Sequence, residues 1–169
     1  MNGKTAISSI VLSAAVAGFG IYYMQVYAYY EPVEQAEVEL VSIVSDRPEP
    51  IRIDNFEGID ADSSPIRYRA CFVTDMSLDT LSATYVGLAE AAPRIAPGWF
   101  DCFDAAAIGA ELEAGTAQAF LGRKNVEFGV DRIVAVTEDG RGYVWHELNN
   151  CGEKAYDGTI VGEDCPERE

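Results

Sequence analysis

The chain has 169 residues and a formal net charge of −16, because 28 Asp and Glu outnumber 12 Lys and Arg. This length suits one modest domain with its own core, and nothing repeats along the chain at the period of a solenoid or propeller. Residues 31–169 carry all 28 acids and 11 of the bases, so their net charge is −17. Such a surface repels nucleic acid and anionic lipid headgroups, and we expect no nucleic-acid partner.

The first predicted element is an uncharged stretch at residues 5–30. A membrane-spanning helix needs about 20 apolar residues, so this stretch can cross a bilayer with some tilt. Tyrosines crowd its end, as in an interfacial belt, because a phenol ring is apolar along its body and polar at its hydroxyl. The belt comprises Tyr22, Tyr23, Tyr27, Tyr29 and Tyr30. We therefore predict a transmembrane anchor at residues 1–30.

The charges that flank this stretch predict its orientation. The amino terminus and Lys4 precede it, whereas acids follow from Glu31 onward and the first base after it is Arg47. The positive-inside bias then leaves the amino terminus in the cytoplasm. We expect a single-pass protein of a bacterial inner membrane with its C-terminal domain in the periplasm.

A cleaved signal peptide is the alternative interpretation. Ala15-Val16-Ala17 fits a small-x-small cleavage site after a short apolar region. The apolar run continues for 13 residues beyond that site, and a mature secreted protein would expose them. An uncleaved anchor is therefore favoured.

Small residues recur along one face of the predicted helix at spacings of three and four. They are Ala6, Ser9, Ser13, Ala17 and Gly20. In lipid, small side chains let two helix backbones approach closely and gain packing energy. We interpret this small-residue stripe as a surface that packs on an integral membrane protein complex, although alanine and serine are also simply common in spans.

An acidic linker at residues 31–37 leads into a predicted α+β domain at residues 38–169. Alternation and β-branched composition predict strands at residues 38–44, 51–53 and 66–73. The intervening "DNFEGIDADSSP" has the composition of a loop. Its Asp54, Glu57, Asp60 and Asp62 could bind a hard cation, but the EF-hand spacing fails because Cys71 stands where the bidentate Glu belongs.

Two helices are predicted in the middle of the domain. Apolar residues at spacings of three and four indicate one over residues 78–92, with Ser77 as its cap. Asp101 is the candidate cap of the second, Asp104 lies in its first turn, and Gly115 can end it.

A β-hairpin is predicted around Asp139-Gly140, which is typical of a two-residue type I′ turn. That turn would set Glu138 opposite Arg141 and place three further pairs in register. They are Val136 with Tyr143, Val134 with Trp145, and Arg132 with Glu147. With the strands and helices before it, the hairpin predicts a mainly antiparallel sheet with both helices on one face.

Cys71, Cys102, Cys151 and Cys165 all follow the predicted span, where thiols are normally oxidised. Their even number indicates two disulfides with three possible connectivities. We favour Cys71–Cys102 and Cys151–Cys165, because the second pair would hold a loop-like tail. We therefore predict a domain stapled by disulfides.

No motif in the sequence identifies a reaction. His146 is the one histidine, and we interpret it as a partly buried structural residue. A G-x-S-x-G elbow, a C-x-x-C-H and paired C-x-x-C motifs are all absent from the sequence. We therefore assign no catalytic residue, cofactor or metal, and expect a protein that is not an enzyme.

Two segments carry a family resemblance: "MNGK" before a single span that ends in tyrosines, and "GVDRIVAVTEDGRGYVWHELNNCGEKAYDGT" near the other end. The chain resembles a family of short uncharacterised bacterial single-span membrane proteins, some labelled histidine kinase. The sequence does not support that label, because only about four residues would lie in the cytoplasm and phosphoacceptor and nucleotide-binding domains are absent.

These features predict a periplasmic accessory subunit or assembly factor that docks on a larger inner-membrane complex, for which a respiratory or photosynthetic complex is a candidate. The acidic domain could also face a basic protein. The alternative is a small periplasmic enzyme or ligand-binding module whose site the sequence does not reveal.

Overall fold

The computed structural model describes residues 3–34 and 37–167. Its α-helices are α1 (Gly3–Tyr23), α2 (Leu78–Thr84) and α3 (Ala105–Ala114), and a π-helical turn at Met24–Ala28 continues α1. The strands are β1 (Glu31–Pro32), β2 (Glu39–Val41), β3 (Pro48–Pro50), β4 (Asp54–Asp60), β5 (Arg69–Val73), β6 (Gly87–Leu88), β7 (Ala117–Glu127), β8 (Val130–Thr137) and β9 (Arg141–Leu148).

The α+β fold predicted from the sequence is confirmed. Seven strands form one antiparallel sheet in the order β1-β4-β5-β9-β8-β7-β6, and β2 pairs with β3 in a separate ribbon. The C-terminal hairpin β8–β9 lies near the centre of this sheet. An apolar helix precedes the domain, and two disulfides staple it.

The sheet is buried on both faces, which corrects the expectation of helices on one face. Side chains alternate across a strand, so neighbouring residues of β8 enter different cores. The first core joins the ribbon and α2 to the sheet through Leu40, Leu81, Phe120, Val134 and Val144. The second joins α3 to the opposite face through Phe103, Ile108, Ile133, Ala135 and Trp145. Each helix therefore covers a different face.

The helical segment Gly3–Ala28 is long and apolar enough to cross a membrane, and its most apolar stretch is not buried against the domain. An anchor and a signal sequence share this property. Residues 1 and 2 of the predicted anchor, 35 and 36 of the predicted linker, and 168 and 169 of the predicted domain lie outside the described residues. Within the linker, Glu31 and Pro32 pair with β4.

The hairpin register differs by one residue from the prediction. Three residues, 138–140, connect the strands, and Val136 lies opposite Gly142 rather than Tyr143. The amide of Gly140 donates to the carbonyl of Thr137 at 3.0 Å, and Gly140 has a φ of 85°. This is a tight turn followed by a left-handed glycine, which suits a three-residue connection rather than a type I′ turn.

Three other predicted boundaries were wrong. The first predicted helix ends at Thr84 rather than near residue 92, because Tyr85 is extended and buried in the first core and β6 then pairs with β7. The segment 54–65, predicted as a loop, begins with β4, whose buried Ile59 packs in the second core. The short strand expected at 51–53 lies instead at β3.

The second predicted helix is confirmed, with one change at its start. Asp104 rather than Asp101 is its cap, since Asp104 Oδ1 accepts hydrogen bonds from the amides of Ala106 and Ala107 at 2.9 and 3.1 Å. Gly115 ends the helix in the left-handed conformation, with a φ of 77°.

Candidate functional site

Aromatic rings gather where the apolar helix meets the domain. Tyr23 stacks on Tyr27 with ring centroids 5.8 Å apart, and Tyr27 stacks on Trp99 at 6.2 Å. Tyr30 meets Trp99 edge-on at 5.9 Å. We call Tyr23, Tyr27, Tyr30 and Trp99 the aromatic junction. It brings three tyrosines of the predicted belt together with a residue 69 positions later in the chain than Tyr30.

Trp99 also bonds directly to the backbone at the end of the helix. Its indole Nε1 donates a 2.7 Å hydrogen bond to the carbonyl of Val26. The last carbonyls of a helix have no partner within it, so they accept bonds from outside when the end is not fully solvated. This bond gives the junction a defined geometry, which ring stacking alone would not do.

Arg67 makes a second polar link across the junction. Its Nη2 donates to the side-chain oxygen of Gln25 at 3.0 Å, and its guanidinium lies 5.5 Å from the centroid of the Tyr30 ring. Neither Trp99 nor Arg67 was predicted from the sequence. One signal for Trp99 was available. The segment "RIAPGW" has no helical or strand periodicity, so its large aromatic residue was not expected to pack in the core as part of a helix or strand.

The two remaining belt tyrosines lie at the border of the junction. Tyr22 meets Tyr27 edge-on with centroids 6.3 Å apart. Tyr29 lines a small pocket of about 250 Å³ with Glu31 and Asp60. That the five tyrosines lie at a membrane interface stays a prediction.

The small-residue stripe has no partner among the described residues. Ser9, Ser13 and Ala17 are exposed, and no residue of α1 is buried. The two serine hydroxyls bond within their own helix, Ser9 to the carbonyl of Thr5 and Ser13 to that of Ile10, both at 3.0 Å. Their polar groups are thus satisfied without a partner, which lowers the cost of placing them in lipid.

The four cysteines form the two pairs that the sequence analysis favoured. Cys71 on β5 bonds to Cys102, which stands just before α3, and Cys151 bonds to Cys165. The first disulfide ties the loop that contains Trp99 to the central sheet. The second closes the tail after β9. Two disulfides indicate an oxidising compartment.

A buried arginine fixes the other end of the Trp99 loop. Arg69 is 5% exposed, and burial lowers its pKa to about 10. Its Nε donates to the carbonyl of Arg94 at 2.9 Å, and its Nη2 to that of Ile95 at 3.2 Å. Nη1 donates to the carbonyls of Ile66 and Tyr68 at 2.9 and 2.6 Å. The guanidinium therefore clamps two chain segments together and has little capacity left for a ligand.

His146 is a structural histidine, as predicted, but it is buried rather than partly buried. Its Nδ1 donates to the carbonyl of Pro65 at 2.7 Å, and its Nε2 accepts from Arg132 Nε at 3.1 Å. The ring stacks on Tyr68 with centroids 4.8 Å apart. Burial, with the charges of Arg132 and Arg69, lowers the pKa of His146 to about 4. A base this weak and this fully bonded is poorly suited to take a proton from a substrate.

Asp60 lies beside His146 and Arg132 at a shallow depression of about 390 Å³. Burial raises the pKa of its carboxyl group, and the backbone amide of Ala61 opposes that shift with a 2.8 Å hydrogen bond. Both ring nitrogens of His146 are engaged, so the histidine itself offers this depression no free nitrogen to act as a base.

An open groove of about 1090 Å³ lies between α3, β7 and the segment 87–93. Its charged lining residues are Glu90, Glu113 and Glu147, and the described lining contains no Lys or Arg. Glu147 Oε1 accepts hydrogen bonds from Trp145 Nε1 at 2.8 Å and from the amide of Ala92 at 2.6 Å. The groove is thus open and acidic, and one of its three glutamates already accepts hydrogen bonds from the protein itself.

Among residues 3–34 and 37–167, no group of three or more His, Cys, Asp or Glu side chains is arranged to hold a metal ion. The acids considered for calcium at Asp54 and Glu57 lie on β4 rather than in a loop.

Fold and junction together define a disulfide-stapled α+β domain held directly against the end of an N-terminal apolar helix. The chain belongs to a family of unknown function (DUF6446), whose sequence model matches residues 38–166. No curated protein matches the chain, and no solved structure does.

Proposed function

We propose that this protein is an accessory subunit or assembly factor of a larger membrane complex in the bacterial inner membrane. Its helix crosses the membrane once with the amino terminus in the cytoplasm, and its acidic domain lies in the periplasm. The helix docks on an integral membrane protein through the small-residue stripe. A respiratory or photosynthetic complex is a candidate partner.

The observation that carries this proposal is the hydrogen bond from Trp99 to the carbonyl of Val26, within the aromatic junction. A simple tether needs only a flexible linker between span and domain. Here the helix end is held to the domain by a hydrogen bond, stacked rings and the Arg67–Gln25 contact. A fixed angle between helix and domain suits a protein that contacts one partner with both.

The surfaces on either side of the junction support two contacts with that partner. Along the helix, the stripe leaves Ser9, Ser13 and Ala17 open for close packing. On the domain, the acidic groove carries three glutamates and no base in its described lining. Complementary charge raises association rates and fixes orientation, so a basic region of the partner fits this groove.

Mild-detergent purification of a tagged chain tests the docking. Ser13→Leu or Ala17→Leu should abolish co-purification of the partner while membrane insertion persists, because each adds bulk at the stripe and makes the span more apolar. Ile10→Leu is the matched control and should retain the partner. If both stripe variants keep every partner, the helix is not the docking surface.

Salt separates the contribution of the domain. Raising the salt concentration from 0.05 to 0.5 M, where exposed charges are screened within a few Å, should weaken an association that depends on the acidic groove. An association that withstands high salt but fails in the stripe variants depends on the helix alone.

A reporter fused after Glu169 tests the compartment. An enzyme that folds only after export should be active there, because the positive-inside bias leaves the domain outside the cytoplasm. Activity of a reporter that works only in the cytoplasm would overturn the orientation. Intact-mass analysis of the membrane-bound chain distinguishes an anchor from a cleaved signal sequence, since cleavage after Ala17 removes the first 17 residues.

The second candidate is a small periplasmic ligand-binding module or enzyme, favoured by the size of the groove alone. Native mass spectrometry of the purified chain tests it. A small molecule retained by the wild type and lost in Gly109→Leu, which fills the groove wall, would support a ligand site. A Cβ at Gly109 would have no heavy atom within 4 Å, so the new side chain is not blocked where it leaves the backbone.

A further inference from the structure

The loop at residues 93–100 lies against the end of the apolar helix. Trp99 is bonded to Val26, which belongs to the segment Gly3–Ala28 that is able to cross a membrane. A residue bonded to the end of that segment lies at the depth of that end. If this segment spans a bilayer, the loop therefore lies at the interface between the bilayer and water.

This loop is rigidly held on both sides. At one side, Arg69 binds the carbonyls of Arg94 and Ile95. At the other, Phe100 is 4% exposed in the second core, and the disulfide at Cys102 follows two residues later. The loop thus presents its outward side chains without losing further conformational entropy on binding.

Two large apolar side chains of this rigid loop are exposed. Ile95 is 85% exposed and Trp99 is 36% exposed. Domains usually expose apolar residues only singly and scattered. Here two such residues share one short loop, and this loop lies next to the exposed apolar helix. The exposed Arg94 adds a cation whose long stem can reach a lipid phosphate from that position.

We infer that the loop 93–100 is a second membrane contact, which places Ile95 and Trp99 in the interfacial layer of the bilayer beside the span. The inference rests on the proposed membrane anchor but not on the proposed partner complex. Tryptophan is enriched at this layer because its ring is apolar and its N–H is polar. The surface is continuous with the tyrosine belt, which favours lipid over a separate protein as its occupant.

Fluorescence quenching in nanodiscs of phosphatidylcholine tests this inference with the full chain. Bromine atoms on the upper acyl chain quench only tryptophans at that depth. The two tryptophans of the chain differ: Trp99 is in the loop, and Trp145 is 0% exposed in the domain core. Trp99→Phe therefore supplies the emission of Trp145 alone, which brominated lipid should leave unchanged.

The decisive variant reports on position 95 itself. Ile95→Trp in the otherwise wild-type chain, which keeps the bond between Trp99 and Val26, should lose most of its added emission in brominated nanodiscs. Val73→Trp in the same background is the control, because Val73 is 40% exposed and lies at the other end of β5 from Arg69, about 13 Å away at 3.3 Å per residue. Its added emission should be unaffected.

Equal emission of the Ile95→Trp variant in brominated and ordinary nanodiscs would overturn the inference. Position 95 would then lie outside the bilayer, either in water or against a protein. That result would leave the anchor intact, since the chain would still be in the nanodisc. Conversely, quenching at position 95 with no co-purified partner would support the lipid contact and defeat the proposed docking function.

Discussion

Arg132 Nε donates a 3.1 Å hydrogen bond to Nε2 of His146, and this contact fixes the histidine as the neutral Nδ1–H tautomer. A proton on Nε2 would face a guanidinium in a buried site. The lowered pKa of His146, about 4, follows first from burial and then from the charges of Arg132 and Arg69, while the Pro65 carbonyl opposes it. The pair therefore couples protein stability to pH.

We predict that His146 destabilises the fold in acid. Its pKa is lower in the folded state than the ordinary 6.5, so the unfolded chain binds more protons between these values. The stability from the neutral ring is complete above pH 6.5 and falls as the pH drops towards 4, by about 3 kcal/mol at pH 4. Urea unfolding in detergent at pH 7 and pH 4 should show this loss in the wild type.

His146→Gln is the control, because an amide keeps polar contacts but does not titrate in this range. The carboxylates titrate in both proteins, so the difference between the two pH dependences isolates the histidine. Parallel curves for the wild type and the variant would contradict a neutral buried His146.

Arg69→Met should lower the free energy of unfolding by about 3 kcal/mol or more, because hydrogen bonds to a charged donor are strong and the freed carbonyls are partly buried. The loop 93–100 should also become sensitive to protease. Arg52→Met is the matched control and should change little, since the Arg52–Asp75 pair is 3.8 Å long and both side chains are mostly exposed. If the loop 93–100 were equally resistant to protease in both variants, Arg69 would not be what holds it in place.

Two glycine-to-alanine substitutions should have opposite effects on stability. A Cβ at Gly142 would lie 2.1 Å from Cζ of Phe72, so Gly142→Ala should cost about 1–3 kcal/mol as the ring is displaced. Gly109 lies within α3 with nothing within 4 Å of a Cβ, so Gly109→Ala should stabilise by about 0.5–1 kcal/mol. Thermal or urea unfolding measures both, and destabilisation by Gly109→Ala would contradict the open surface there.

The cysteines should all be oxidised in the purified protein, so mass spectrometry without reduction should detect no free thiol. Replacing Cys71 and Cys102 by alanine should cost about 4 kcal/mol, and replacing Cys151 and Cys165 about 3 kcal/mol, because the first disulfide closes the longer loop. A labelled thiol at Cys71 or Cys165 would contradict the pairing and reopen a redox role for the cysteines.

Local signals in the sequence determined the elements that depend on neighbours along the chain. The uncharged stretch at residues 5–30 predicted the apolar helix, because length and hydropathy suffice for that inference. Gly115 predicted the end of α3, since a left-handed residue after a helix favours glycine. The even cysteine count indicated two disulfides, and the loop-like tail between Cys151 and Cys165 favoured the pairing that the structure has.

Only the tertiary structure decided features that depend on contacts distant in the chain. The turn sequence alone does not set the hairpin register. The register also depends on Gly142, which has no side chain and so leaves room for the ring of Phe72 on β5. The bond between Trp99 and Val26 joins residues 73 positions apart, so no local pattern could predict it. Burial also made a charged residue, Arg69, structural, because its carbonyl partners come from two separate segments that only the folded chain brings together.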